Sequence, residues 1–237
     1  MADLPAIEPT ASLGDQAYTT VREAILSGVL PRGEKVTERG LAEKLNISAT
    51  PVREALRRLE QDRLVTREGL RSVRIAHFDE DELEKITMIE DVLRALAARL
   101  AAENATDAQI ERMRTSLDRA EELSNNYSWS TPTEDQVVAV GMAQREFHAT
   151  VDQASGSPTL LHLLNMVDAF NHRERRRIVR EQLATDVDGL TERFQQHREI
   201  FDAIATHDAE AAERIMREHS RAANASRIAA RSRTGAS

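Results

Sequence analysis

The 237-residue chain has no cysteine, which rules out both a disulfide framework and a thiolate metal site. It contains no apolar run near the roughly 18–20 residues that a bilayer-spanning helix needs. Its start (Met1-Ala2-Asp3-Leu4-Pro5) lacks the basic-then-apolar pattern of a secretory leader. Those absences point to a soluble, cytoplasmic protein with no membrane partner. The chain also lacks net positive charge, standing at −8. Its distribution matters more than its sum. Residues 1–76 hold 12 Lys/Arg against 11 Asp/Glu, and the remainder 20 against 29. Within 47–76 seven Arg face four acids, a local basic patch of the kind phosphate selects. The patch is small, so two copies reading two half-sites would bind better than one.

The most informative stretch is 48–56, Ser-Ala-Thr-Pro-Val-Arg-Glu-Ala-Leu. Ser48 reads as a helix N-cap and Pro51 falls in the first turn, where a missing N–H costs nothing. A short helix from Glu38 to Leu45, capped by Thr37 and closed by Asn46, precedes it. Two helices about an Asn46-Ile47 corner, the second rich in Arg, form a helix-turn-helix whose second helix fits a major groove. Upstream, Ala17, Val21, Ala24, Ile25 and Val29 recur at helical spacing until Gly28 and Pro31-Arg32-Gly33. Downstream, residues 64–75 read as two short strands around a Gly turn. The order helix, helix, helix, hairpin is a winged helix-turn-helix over 13–76. Residues 1–12 read as a disordered arm and 77–79 as a linker.

Beyond Ala76 no strand pattern occurs. Asp79 with Glu82, and Thr106 with Gln109, are capping-box signatures. The first opens a helix whose apolar positions are Leu83, Ile86, Ile89, Leu93, Leu96 and Leu100. Further helices are predicted near 134–155, 158–183, 188–206 and 208–231. The fold class is therefore mainly α: an N-terminal winged helix-turn-helix and, over 80–232, an all-α bundle of about six helices.

Three sets of residues carry chemistry. On the Arg-rich helix, Ser48 and Thr50 sit where hydroxyls and free N–H groups hold phosphate. Arg53 and Arg57 lie one turn apart on one face, suited to bidentate contact with guanine, and Arg67, Arg71 and Arg74 flank the wing. The alternative is a solvated face in which Arg53, Arg57 and Arg58 pair with Glu54 and Glu60. Secondly, His148, His197 and His219 each lie on the apolar stripe of a different helix. Three imidazoles entering one bundle could hold a divalent ion such as Zn²⁺ or Ni²⁺. Equally, they could be three core histidines, each bonded locally. Thirdly, Glu90 and Arg94 stand at i and i+4, as a local ion pair or with Arg94 free to bind an effector carboxylate. Asn165, Asn171 and the run His172-Arg173-Glu174-Arg175-Arg176-Arg177 are further polar candidates.

Residues 20–76 resemble the winged-helix domain of the GntR family, whose reading helix typically runs Ser-Arg-Thr-Pro-Val-Arg-Glu-Ala-Leu. The likeness extends to Ile25…Gly28-Val29-Leu30-Pro31-Arg32-Gly33 and Thr37-Glu38-Arg39-Gly40-Leu41-Ala42. It implies that Arg39, Thr50 and Arg53 contact a double-stranded operator, and it breaks at Ala49, where the family usually has a base-contacting Arg. Residues 80–232 resemble the FCD ligand-binding domain of the FadR branch in its six-helix, VanR-like form. That domain often grips a metal with Asp-x-x-x-His on one helix and single His residues on the last two. Phe147-His148, His197 and His219 match, followed by Ala154-Ser155-Gly156-Ser157-Pro158, but Gln144 replaces the Asp. A neutral amide is the weaker ligand and leaves the donor set one negative charge short. The two likenesses together imply a homodimeric transcriptional regulator, more often a repressor, controlled by a small anionic metabolite such as an organic or sugar acid. Two other functions stay open on the residues alone. A metal-dependent hydrolase would use the three His, though no His-Glu-x-x-His occurs. A structural DNA-binding protein without an effector would be expected to be basic overall.

Overall fold

The computed structural model describes residues 12–127, 133–170 and 187–234, so residues 1–11 of the predicted arm, Asn171 and the run 172–177 lie outside the described residues, while Ser12, counted with the arm, is the cap of the first helix. The chain divides into two units, Met1–Asp79 and Glu80–Ser237.

In the first unit, α1 (Leu13–Ser27) opens on a capping box between Ser12 and Asp15 and ends at Gly28, whose φ of 82° suits a residue without a Cβ. Three residues then pair as β1 (Lys35–Thr37). Thr37 also caps α2 (Glu38–Leu45), accepting a hydrogen bond from the Gly40 N–H, and Asn46 ends α2 in the left-handed region. Next come α3 (Ala49–Gln61), β2 (Val65–Gly69) and β3 (Ser72–Ile75). The sheet is antiparallel in the order β1-β3-β2, with Val36 opposite Val73 and Val65 opposite Ile75. The expected hairpin is present, and β1 is an addition to it. Val52, Leu56 and Leu59 of α3 are buried with Val21, Val65 and Val73. Burying such side chains contributes on the order of 1.5–3 kcal/mol each and fixes the rotation of α3. Its opposite, Arg-bearing face therefore stays in solvent.

The second unit contains α4 (Glu80–Asn104), α5 (Asp107–Asn125), α6 (Glu134–Ala154), α7 (158–170), α8 (Val187–Ala205) and α9 (Ala209–Thr234). Capping boxes Thr106/Gln109 and Thr133/Gln136 start α5 and α6. Its core joins Met113 and Leu117 of α5, Phe147 and Val151 of α6, Ile200 and Ile204 of α8, and Met216 of α9.

The burial of α4 differs from its apolar periodicity. Leu83 and Ile86 are buried as expected, but Ile89 and Leu96 are exposed, together with Met88 and Val92. The buried side instead carries Ala95, Ala98, Ala101 and Ala102, followed toward the N-terminus by Arg94, Asp91, Glu90 and Thr87. Small alanines let the neighbouring helices approach, so the larger side chains are excluded from that face. The helix is left with a second apolar stripe facing outward.

Candidate nucleic-acid interface and histidine centre

The first residues of α2 and α3 and the turn between β2 and β3 surround an open groove of about 640 Å³. Arg39, Ser48, Ala49, Arg53 and Arg71 line it, with Glu38 at its base. Four residues expected to touch DNA thus meet in one place, and Thr50 and Arg57 are exposed on α3 beside them. Ser48 is the N-cap of α3 in backbone conformation, but its side chain makes no capping bond. Its hydroxyl and the first N–H groups of α3 are open to a phosphate.

The arginines differ in what they are tied to. Arg53 donates from Nε and Nη2 to one oxygen of Glu38, at 3.1 and 3.0 Å. Arg58 is bound to Asp15 at 2.5 Å and lies 4.3 Å over the Tyr18 ring, clamping α3 to α1. Arg67 pairs with Glu60 at 3.1 Å, and Arg74 with Glu68 and the Gly33 carbonyl. Arg39 pairs with Glu43 at 2.8 Å yet remains largely exposed. The solvated-face alternative named Glu54 and Glu60 as partners of Arg53, Arg57 and Arg58. Arg53 and Arg58 instead use Glu38 and Asp15, which sequence reasoning had not singled out. Glu38 lies 15 residues from Arg53 and Asp15 lies 43 from Arg58, beyond any helical spacing rule.

In the second unit the three histidines converge. His197 Nε2 lies 3.1 Å from His148 Nε2 and 3.2 Å from His219 Nε2. One ligand atom from each falls within 4.8 Å of the others. Donors held about 2.1 Å from a common ion at tetrahedral or octahedral angles stand roughly 3.0–3.4 Å apart, so the two spacings about His197 fit a shared ion. His219 Nδ1 bonds to Gln196 Oε1 at 2.8 Å, which puts its proton on Nδ1 and turns the Nε2 lone pair toward the other rings. Burial, followed by the nearby charges of His219 and Arg193, holds His197 well below the ordinary imidazole pKa. Burial, with Arg193 and Arg94, lowers His219 to about 3. Both rings are neutral at pH 7, the form that ligates. A single proton on His197 Nε2 cannot serve two neighbours at once, so a cation among the three nitrogens satisfies them better than hydrogen bonding does. The alternative of three unrelated core histidines is therefore incorrect in its geometry: they are mutual neighbours. Gln144, one turn before His148, is buried, and its amide nitrogen has no hydrogen-bond partner among the described residues.

Arg94 is buried, and the ion pair with Glu90 is only part of its environment. Nε reaches Glu90 at 3.0 Å, Nη1 reaches Asp152 at 3.1 Å, and Nη2 reaches Asp168 at 3.1 Å. Burial alone would lower the pKa of this guanidinium, but Asp152, Glu90 and Asp168 together outweigh it and raise it. The sequence expectation of an Arg94 free to take an effector carboxylate needs correction, because three carboxylates of the chain already occupy its donor edges. Asn165 is exposed on α7 rather than directed into the bundle. Asp91 is buried beside Asn224, whose amide donates to it and, at 3.4 Å, to the Thr87 carbonyl.

A winged helix-turn-helix with a basic groove, joined to a helical unit with a buried histidine centre, defines a DNA-binding regulator with a sensor. Comparison with known proteins gives the family. Residues 13–75 match "Bacterial regulatory proteins, gntR family", and residues 85–222 match "FCD domain". The chain belongs to the GntR-family transcriptional regulators that carry an FCD domain. Among its relatives is the "Probable D-xylose utilization operon transcriptional repressor" of Paenarthrobacter nicotinovorans, 29% identical over 195 residues, covering 82% of this chain and 80% of that one. Another is the "HTH-type transcriptional regulator LutR" of Bacillus subtilis (strain 168), 25% identical over 214 residues and covering 82% and 92%. Among solved structures, "E. coli McbR/YncC" aligns over 90% of this chain and 95% of its own at a TM-score of 0.68, with 21% identity. That last likeness concerns the fold alone. Among the described residues, no helix is long and apolar enough to cross a membrane.

Proposed function

We infer that the chain acts as a homodimer that represses transcription from a double-stranded operator and releases it on binding a small anionic metabolite. The groove that unites Arg39, Ser48, Arg53 and Arg71 carries this reading, with Thr50 and Arg57 completing the DNA-facing set. Repression is the role named for the Paenarthrobacter relative, and an acidic second unit argues against an architectural DNA-coating role. Dimerisation is supported by the outward stripe of α4. Met88, Ile89, Val92 and Leu96 follow helical spacing and are 40–62% exposed, an apolar face that a second copy of α4 matches.

His148, His197 and His219 fit a divalent ion such as Zn²⁺ or Ni²⁺: they converge, burial keeps His197 and His219 neutral, and Gln196 fixes the His219 ring. When bound, such an ion supplies a positive centre to which a carboxylate can coordinate. With Gln144 in place of an acid, the chain's own ligands do not neutralise that charge. This favours an anionic effector even though the donors of Arg94 are taken. Selection of duplexes from a random-sequence pool tests the reading. The purified protein should enrich a two-half-site sequence, and Arg39→Ala or Arg71→Ala should reduce the slope of log affinity against log salt by about one each. Absence of salt-dependent enrichment overturns it.

A further inference from the structure

Glu38 is the first residue of α2, directly after β1, and is 2% exposed. A buried carboxylate is costly unless paired. One oxygen, Oε2, accepts from both Nε and Nη2 of Arg53, at 3.1 and 3.0 Å. The other, Oε1, has no hydrogen bond and faces Nη1 of Arg67 on β2 at 3.7 Å. The Glu38 backbone N–H donates to the Arg71 carbonyl at the wing turn, at 3.0 Å. One residue thus joins the start of α2, the middle of α3 and the wing.

A guanidinium offers two forked edges, a side edge of Nε with one terminal nitrogen and an end edge of the two terminal nitrogens. Glu38 occupies the side edge of Arg53. The end edge is left over, on a side chain that is 56% exposed and lines the groove. An unrestrained Arg on a helix surface samples many rotamers, and ordering it costs on the order of 1.5–2 kcal/mol. Here the buried acid makes that choice before any duplex arrives.

We propose that Glu38 is the positioning residue for base reading: its buried carboxylate holds Arg53 by the side edge so that the end fork is presented to the acceptors of one guanine. Glu38 itself touches no DNA. Because this chain has Ala49 at a position where an Arg could have shared the readout, discrimination leans on how well Arg53 is oriented. The inference rests on Arg53 being a DNA contact, and the test separates the two.

The experiment measures binding of the full chain to a duplex selected from a random pool, and to every single-base-pair substitution of it, over a series of salt concentrations. Arg53→Ala should remove preference at one base pair per half-site; if it removes none, Arg53 is not a base reader and the inference fails with it. Glu38→Leu, shown to be folded by circular dichroism and melting, should lose preference at the same base pair by about tenfold or more, the scale of one specific contact. The salt slope should stay unchanged, because no phosphate-facing charge is lost. Adding Arg53→Ala to Glu38→Leu should cost no further preference at that base pair. If Glu38→Leu does not fold, Glu38→Gln decides, since a neutral amide oxygen holds the guanidinium more weakly than a carboxylate does and leaves its orientation looser. A partial loss at the same base pair is then expected. Wild-type preference in either folded variant, or a loss spread over base pairs that Arg53→Ala leaves alone, overturns the role of Glu38 while leaving that of Arg53 intact.

Discussion

Arg94 Nη1 and Asp152 Oδ2 meet at 3.1 Å between α4 and α6, and Asp152 stands one turn beyond His148. The guanidinium that fixes this carboxylate also binds Glu90 and Asp168, so it holds α4, α6 and α7 together beside the histidine centre. Its positive charge contributes to the lowered pKa of His219.

Removing the guanidinium leaves acids facing one another without a counter-charge. Arg94→Met is expected to destabilise the protein by about 3–5 kcal/mol, the usual range for breaking a buried pair from one side. Urea unfolding at neutral pH measures it. A loss below about 1 kcal/mol indicates that water already reaches the cluster.

The buried imidazoles set a pH dependence in the metal-free protein. His197 and His219 have folded pKa values below the ordinary 6.5, so between those values the unfolded chain binds more protons than the folded one. Stability is therefore full above about pH 6.5 and falls as pH drops toward the folded values, by roughly 1.4 kcal/mol per pH unit for each ring kept neutral. Unfolding titrations in chelator at pH 7.5, 6.5 and 5.5 should show the decline. Arg94 stays charged throughout that range and adds nothing to the slope.

Calorimetry with Zn²⁺ and with Ni²⁺ should show one site per chain, abolished by His197→Ala. Gln196→Ala, which frees the His219 ring, should weaken it about 10–100-fold. Gln144→Asp should strengthen it, since a carboxylate adds the missing negative charge. Equal affinity in wild type and His197→Ala places any bound ion elsewhere.

The α4 stripe gives the fourth prediction. Val92→Glu places a charge within the exposed apolar row and should yield a monomer in sedimentation at micromolar concentration, with helical content unchanged. Operator affinity should fall in parallel, because a single copy engages one half-site. A Val92→Glu protein that stays dimeric assigns self-association to another surface.

Much of this fold could be read along the chain because its helix boundaries are local. Thr37, Asn46 and the Thr106/Gln109 box act within four residues of themselves, and each stands where expected. β1 was not legible: Lys35-Val36-Thr37 is too short to alternate and exists through pairing with Ser72–Arg74. The apolar pattern of α4 misled for a different reason. Ile89 and Leu96 look like core, but alanines allow closer packing, and the outward face was free to be apolar. Of the partners of Arg94, only Glu90 lies within a helical turn; Asp152 and Asp168 are 58 and 74 residues away. The histidine stripes marked the right faces, whereas their meeting depends on three helices at once.

Ser12, Thr37, Thr106 and Thr133 all close the helices they precede with a side-chain bond, and Ser48 does not. In those four the bond reaches the amide three residues on, and in α3 that place belongs to Pro51, which has no amide hydrogen. The Ser48 hydroxyl is thereby left for an outside partner, an oxyanion for instance, and one imino acid at the third place is what sets this helix start apart from the rest.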